Sequence, residues 1–186
     1  MNDSTKRLLE ELEVFGHTHH GFYNISADTG QFFNILARIS KAKNILEVGT
    51  SNGYSTIWLA EAAKQNKGRV TTIEIAEHKV KMAGENFKRA KLDKTIKIVH
   101  GDALKEIPKL KGKFDLLFLD AIKEDYINYF KLAYPKLAKG AVIAADNAIM
   151  FEKYMKDYLS YVRNHRNMRS VLMPIGSGVE FSLKLK

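Results

Sequence analysis

The chain has 186 residues, of which 45% are hydrophobic and 27% charged, an ordinary composition for a globular protein with one sizeable core. It contains no cysteine, which excludes disulfides, thiolate zinc sites and cysteine nucleophiles and fits a reducing compartment. No apolar run approaches the length of a membrane span. We therefore expect a cytoplasmic protein with no membrane partner.

The net charge is +9, from 30 Lys and Arg against 21 Asp and Glu. A basic excess can indicate binding to nucleic acid or another polyanion. The lysines are spread along predicted helices and loops, without an arginine-rich block or a basic motif interleaved with aromatic residues. This spread favours a solvated, lysine-rich surface over nucleic-acid binding, but RNA stays open as a substrate.

The first 40 residues read as helices. Thr5 to Phe15 forms an amphipathic pattern, and Ser26 is placed to cap a helix that runs to Ile39. Between them lies the glycine-bounded segment 16–21, which we predict to be a loop. Its histidines, His17, His19 and His20, lack a nearby carboxylate pattern, so we interpret them as loop residues and not as metal ligands.

From residue 44 onward, apolar strands alternate with helices. The predicted strands are Asn44–Val48, Arg69–Ile75, Ile96–His100, Phe114–Asp120, Gly140–Asp146, Ser170–Pro174 and Val179–Lys184. The predicted helices between them are Ser55–Asn66, Glu77–Ala90, Leu104–Leu110, Tyr126–Leu137 and Phe151–Asn164. This alternation predicts an α/β fold, a Rossmann-like doubly wound sheet of seven mostly parallel strands with helices on both faces. The last two strands form a hairpin, which places one antiparallel strand in the sheet.

One stretch, N-I-L-E-V-G-T-S-N-G-Y-S-T over residues 44–56, combines a buried strand, a turn with Gly49 and Gly53, and a helix start that Ser55 or Thr56 could cap. Such a turn is typical of an adenosyl-cofactor site, although a plain strand-turn-helix corner would look the same. The pattern lacks the third glycine of the dinucleotide fingerprint. Glu47 would repel a pyrophosphate but attract the cationic groups of S-adenosylmethionine.

Each of the five predicted parallel strands has an acidic residue at or just after its end. These are Glu47, Glu74, Asp102, Asp120 and Asp146. Ligands of open α/β sheets bind at this edge, so we expect the five carboxylates to gather at one site, although any single one could simply cap a helix. Asp120, Asp146 and Asn147 offer oxygen ligands suited to Mg²⁺, with an Asx turn as the alternative interpretation of Asp146-Asn147.

These motifs together resemble the class I S-adenosylmethionine-dependent methyltransferases, and within them the cation-dependent O-methyltransferases of the catechol and caffeoyl-CoA type. The similarity covers residue 26 to the C-terminus, through L-E-V-G-T-S-N-G-Y-S, T-I-E-I, G-D-A, L-D-A-I-K-E-D-Y, A-D-N and P-I-G-S-G-V-E. It implies one methyltransferase domain over residues 1–186, with residues 1–40 covering the site and residues 41–186 forming the cofactor-binding core. A homodimer is implied by the resemblance alone.

The resemblance also implies a role for each matching residue. The cofactor S-adenosyl-L-methionine would contact Glu47, Gly49, Thr50, Gly53, Tyr54, Ser55, Glu74, Asp102, Ala103 and Asp120. Mg²⁺ or another divalent cation would be held by Asp120, Asp146 and Asn147, and Lys123 would be the general base beside Asp120. Lys123, Asn147 and Glu180 would contact the substrate, a small hydroxylated aromatic molecule that resembles a catechol.

Three alternatives remain at this point. The first is a metal-dependent methyltransferase that acts on a hydroxylated tRNA base, which would suit the net charge of +9. The second is a dinucleotide-dependent oxidoreductase, which the missing glycine and the Asp120, Asp146 and Asn147 set argue against. The third is a catalytically silent cofactor-binding module, which would have no need for Lys123.

Overall fold

A computed structural model describes residues 1–186 of the chain. Its centre is a seven-stranded sheet of strand order β3-β2-β1-β4-β5-β7-β6. The strands are β1 (Asn44–Val48), β2 (Arg69–Glu74), β3 (Ile96–His100), β4 (Phe114–Leu119), β5 (Leu137–Asp146), β6 (Met168–Met173) and β7 (Val179–Lys184). The first five are parallel, and β7 is antiparallel to both β5 and β6. The predicted doubly wound sheet with a closing hairpin is therefore confirmed.

Helices cover both faces of the sheet. They are α1 (Asp3–Thr18), α2 (Ala27–Ile39), α3 (Tyr54–Gln65), α4 (Glu77–Arg89), α5 (Ala103–Glu106), α6 (Tyr126–Ala133) and α7 (Lys156–Asn164). Short 3-10 turns occupy Ile107–Lys109, Lys123–Asp125, Tyr134–Lys136 and Glu152–Tyr154. None of the helices has the length and apolar character needed to cross a lipid bilayer.

The strands send alternate side chains to two apolar layers, as the period of a β-strand requires. In β1, Ile45 packs with helices α1 to α4, whereas Leu46 faces α5 to α7. The same alternation separates Phe118 from Leu117 in β4. Both faces of the sheet are thus buried, and the ends of the strands are the places where a ligand can reach it.

Helix α1 is longer than the sequence predicts, because it continues through Gly16 to Thr18 and so includes His17. Gly16 does not break the helix. A side chain at Gly16 would collide with Asn24, whose Nδ2 donates to the Leu12 carbonyl at 2.7 Å. The glycine is therefore a close-packing position for Asn24, and the predicted loop shrinks to the residues after Thr18.

Prolines shorten two of the predicted helices. The predicted helix 126–137 is α-helical only to Ala133, because Pro135 turns the chain into a 3-10 segment, and β5 then begins at Leu137 instead of Gly140. The predicted helix 104–110 likewise changes to a 3-10 turn that contains Pro108.

Candidate active site

A cavity of about 450 Å³ opens at the carboxyl ends of the parallel strands. It brings together nine of the predicted site residues: Gly49, Thr50, Tyr54, Ser55, Glu74, Asp102, Ala103, Asp120 and Lys123. Segment 21–25, which joins α1 to α2, contributes Gly21, Tyr23, Asn24 and Ile25 to the opposite wall. Residues at four strand ends and one N-terminal segment thus form a single concave site. Of the five carboxylates predicted to gather there, Glu74, Asp102 and Asp120 line the cavity, whereas Glu47 and Asp146 do not, and Asn147 does not line it either.

The turn after β1 owes its shape to two glycines. Gly49 has φ 98° and Gly53 has φ 91°, both in the left-handed region that glycine tolerates best. A side chain at Gly49 would run into the backbone carbonyl of Asp120, so the turn after β1 packs directly on the end of β4. Gly53, which does not line the cavity, is the N-cap residue of α3, and the side chain of Asn52 accepts from the N–H of Tyr54 at 3.1 Å. The expectation that Ser55 or Thr56 caps it is wrong.

Glu74, at the end of β2, holds this turn in place. Its Oε2 accepts hydrogen bonds from the backbone N–H groups of Ser51 at 2.8 Å and Thr50 at 3.2 Å, and its Oε1 accepts one from Ala76 at 2.9 Å. The carboxylate therefore fixes the turn after β1 and also lines the cavity. On the same wall, Asp102 caps α5 by accepting from the N–H of Leu104 at 2.9 Å.

Glu47 lies under the cavity and does not line it. Its side chain is fully buried and accepts hydrogen bonds from the hydroxyls of Ser55, at 2.6 Å, and Thr56. Burial raises the pKa of Glu47 to about 7, against the opposing effect of these two hydrogen bonds. The predicted direct contact of Glu47 with the cofactor is therefore not what this geometry provides. The carboxylate instead ties the first turn of α3 to β1.

The ends of β4 and β5 bring two carboxylates close to each other. Asp120 accepts a hydrogen bond from Lys123 Nζ at 2.9 Å, and Asp146 accepts one from the Ser177 hydroxyl at 2.9 Å. Asp146 is 3% exposed, and its burial, followed by the charge of Asp120, raises the pKa of Asp146 to about 7. Asn147 Nδ2 donates to Ser177 Oγ at 3.0 Å, which leaves the amide oxygen free. Ser177 thus orients the last residue of β5 and the residue that follows it.

Glu180 is not placed to contact a substrate. It lies in β7 with its side chain fully buried, and it accepts two hydrogen bonds from Arg163 of α7, at 2.9 and 2.7 Å. It is absent from the cavity lining. The alternation of β7 sends Val179 to the face that carries α1 to α4, so Glu180 points to the α7 side. The predicted substrate contact is corrected to a structural ion pair.

Comparison with known proteins shows that the model of the family described as O-methyltransferase matches residues 2–184. This chain belongs to the O-methyltransferase family. Among its relatives in this family, a catechol O-methyltransferase from Niastella koreensis is 39% identical over 138 residues, 72% of this chain and 62% of the relative. A caffeoyl-CoA O-methyltransferase from Medicago sativa is 27% identical and aligns over the whole of this chain and 90% of its own length.

Known structures of O-methyltransferases show the same architecture. TomG from Streptomyces achromogenes, in complex with SAM, superposes with a TM-score of 0.86 at 25% identity, covering 100% of this chain and 91% of TomG. An O-methyltransferase from Bacillus cereus in complex with SAH gives a TM-score of 0.84 at 25% identity, covering 99% and 91%. In contrast, the chain spans only 62% and 57% of two catechol O-methyltransferase relatives, those of Niastella koreensis and Mycobacterium tuberculosis.

Sequence reasoning missed two residues that the structure places at the site. Ser177 lies in the closing turn P-I-G-S-G-V-E, where attention to the acidic residue drew the prediction to Glu180. Lys79 reaches over the cavity from α4 and donates to the Gly21 carbonyl at 2.6 Å. A lysine on an exposed helix carries no local signal of such a contact, and only the fold brings segment 21–25 above it.

Proposed function

We propose that the chain is an S-adenosylmethionine-dependent O-methyltransferase that methylates a hydroxyl of a small catechol-like molecule with the help of a divalent cation. One observation carries the proposal: a single cavity is lined both by the glycine turn after β1 and, directly beside it, by Asp120 and Lys123. A methyl donor and an acceptor hydroxyl need such adjoining walls, because proximity and orientation supply much of the rate acceleration of group transfer.

The residues around the turn suit an adenosyl donor. The Ser51 hydroxyl and the Asn52 amide nitrogen are buried without a hydrogen-bond partner in the chain, and both residues line the cavity. Gly49 removes the side chain that would separate the turn from the end of β4. Glu74 and Asp102 add acceptors for hydroxyl and amino groups. The TomG complex with SAM, on the same fold, supports this choice of donor.

The donor set at the ends of β4 and β5 suits a divalent cation. Asp120 and Asp146 are two neighbouring carboxylates: burial, and after it the charge of Asp120, raises the pKa of Asp146, and a cation between the two would offset both effects. The free amide oxygen of Asn147 completes a set of hard oxygen ligands, the type that Mg²⁺ prefers. When bound, the cation would lower the pKa of an acceptor hydroxyl, and the donor would supply the methyl group.

Lys123 moves the proton in this proposal. Its Nζ lies 2.9 Å from Asp120 and its side chain is only 16% exposed, on a 3-10 turn that is part of the cavity wall. In its neutral form the amine would accept the proton of the acceptor hydroxyl, and a bound donor would supply the methyl group to that oxygen. Asp120 keeps the amine at the site through their hydrogen bond.

The cavity wall favours a small aromatic acceptor over a polyanionic one. Ile25, Ile122 and Tyr129 supply apolar surface for a ring, whereas Glu74 and Asp102 add negative charge to the cavity lining, which disfavours a phosphate backbone. The tRNA-base alternative therefore has no feature of the cavity in its favour. Membership of the O-methyltransferase family also argues against the dinucleotide-dependent oxidoreductase.

The test is a methyl-transfer assay with labelled S-adenosylmethionine over catechol, caffeoyl-CoA and tRNA, with Mg²⁺ or with excess chelator. We expect transfer to catechol that chelator abolishes. Lys123→Met should lower kcat by about 100-fold or more, the effect of losing a general base. Lys131→Met, which removes an exposed lysine of α6, is the matched control and should leave kcat unchanged. Full turnover in chelator would remove the cation from the mechanism, and transfer to tRNA alone would overturn the acceptor class.

A further inference from the structure

The edge of the sheet opposite the cavity is strongly basic. Here five segments lead into the five parallel strands: 40–44, 64–69, 88–95, 109–113 and 136–140. Together they hold 14 Lys and Arg residues and one acidic residue, Asp93. A second carboxylate lies beside them, because Asp115 of β4 accepts from the N–H groups of Lys43 and Asn44 at 2.9 Å. We call this set of five segments the basic edge. It collects nearly half of the 30 cations of the chain, although no segment contains more than four of them.

Backbone contacts join these segments into one continuous surface. The N–H of Val70 donates to the Thr95 carbonyl at 2.9 Å, and the N–H of Arg69 donates to Lys43 at 2.7 Å. The same connection continues across the sheet, where Lys113 Nζ donates to the Pro135 carbonyl at 2.6 Å. The cations that lie far apart in sequence are therefore neighbours along one edge.

Most of this charge has no acidic partner. Arg89 pairs with Glu11, and Lys109 pairs with Glu106 at 2.7 Å; no other cation of the basic edge forms a salt bridge. Lys184, next to the edge, shows the effect of the crowding: its pKa is lowered by burial and then by the charge of Lys113.

Three lysines of the basic edge occupy positions where glycine would be more stable. Lys41, Lys67 and Lys91 follow the ends of α2, α3 and α4 with φ of 53°, 57° and 58°. In this left-handed conformation a residue with a side chain is strained, and glycine is the usual choice. The positive charge is thus present at these three positions in spite of its conformational cost.

Helix dipoles do not account for the whole basic edge. A cation stabilises a helix within its last turn, which applies to Lys64 and Lys88. Lys113 lies directly before β4, however, and Lys139 lies within β5, where no helix ends. The excess is therefore a property of the edge as a surface.

We propose that the basic edge binds the phosphate backbone of a nucleic-acid double helix, independently of the proposed methyl transfer at the other end of the sheet. Its five strands at about 4.8 Å spacing span about 20 Å, along which a duplex presents about 12 phosphate charges. The five segments contain no Phe, Tyr or Trp, so they offer no platform on which single-stranded bases could stack. Their leucines, Leu92, Leu110 and Leu137, are not exposed, so the edge offers nothing to insert into a lipid bilayer.

The test is fluorescence anisotropy with labelled duplexes of about 20 base pairs, one of RNA and one of DNA, titrated with the full chain at several salt concentrations. If the basic edge makes four phosphate contacts, raising the salt concentration from about 50 to about 200 mM should weaken binding roughly 100-fold. The critical variant is Lys41→Gly, Lys67→Gly and Lys91→Gly combined. We expect it to reduce the slope of log affinity against log salt concentration by about 3 in magnitude, about 1 for each lysine removed. It should also raise the thermal midpoint by about 2–4 °C per substitution, because glycine relieves the backbone strain.

The matched control removes the same charge elsewhere, through Lys6→Gln, Lys81→Gln and Lys131→Gln combined, and should retain wild-type binding. Equal loss of affinity in the control and in the glycine variant would show that net charge alone is responsible and would overturn the proposal. So would the absence of duplex binding at low salt, or binding to phosphatidylglycerol vesicles but to neither duplex. The RNA and DNA arms decide which duplex the edge prefers.

Discussion

Replacing Arg163 by Met tests whether Glu180 is a structural residue. The side chain of Glu180 is 0% exposed, and both of the charge-assisted hydrogen bonds that it accepts come from Arg163. Without the arginine, a carboxylate stays buried between α7 and the sheet. Breaking a buried pair in this way costs about 3 kcal/mol, at the low end of such losses because the Arg163 side chain is 41% exposed. The thermal midpoint should therefore fall by about 6–12 °C.

The stability lost in Arg163→Met should depend on pH and on the charge of residue 180. The orphaned carboxylate can be neutralised by taking up a proton, so the folded variant binds more protons than its unfolded chain and its stability rises as the pH falls. Adding Glu180→Gln to Arg163→Met should recover most of the lost stability at neutral pH, because no buried charge then remains.

Chemical denaturation of the two variants at acidic and neutral pH measures both effects. The single variant Glu180→Gln adds a second readout, the KM for catechol in the methyl-transfer assay, which we expect to stay at the wild-type value. An unchanged stability of Arg163→Met, or a large rise in KM with Glu180→Gln, would refute the assignment of Glu180 to the ion pair.

Three further predictions concern the site. Burial raises the pKa of Glu47 from 4.5 to about 7, so between these pH values the folded chain holds a proton there that the unfolded chain loses. The free energy of unfolding should therefore fall as the pH rises from 4.5 to about 7, and Glu47→Gln should remove this pH dependence from denaturation curves. Ser177→Ala should weaken Mg²⁺ binding by roughly 10- to 100-fold in calorimetry while cofactor binding is unchanged, since Ser177 orients two predicted ligands. Gly49→Ala should destabilise the chain by about 2 kcal/mol or more and weaken cofactor binding. The control is Gly112→Ala, at φ 93° with no atom nearby, which should show only the cost of the strained backbone.

The order of apolar segments in the sequence was sufficient to predict all seven strands. The central strands β1, β4 and β5 are the clearest, because they are apolar runs buried on both faces, whereas β6 is largely exposed. Predicted helix boundaries were less accurate where the local sequence and the packing of the folded chain favour different ends of the helix. Gly16 looks like a helix breaker but accommodates Asn24, a contact that depends on the loop after α1. Pro135 ends α6 early, which lets β5 begin at Leu137.

The candidate site was predictable as far as it follows from strand ends. Asp120 and Asp146 meet because parallel strands end at one edge, and that rule needs only the order of elements. Glu180 was misassigned because its orientation depends on the register of β7, where it pairs with Ala145. The basic edge could not be seen in the sequence, since each of its five segments alone looks like an ordinary lysine-containing loop.

The contact between Gly49 and the Asp120 carbonyl has a consequence for how such a chain can diversify. It packs the turn after β1, the proposed donor site, directly against the end of β4, which precedes the proposed base Lys123, so neither can shift without the other. Segment 21–25 is attached through side chains: Lys79 donates to Gly21 and lies over the Phe22 ring at 5.1 Å, and Asn24 donates to Leu12. Under the proposed function, we therefore expect acceptor preference to change through substitutions in segment 21–25, while the backbone contact between the two turns is kept.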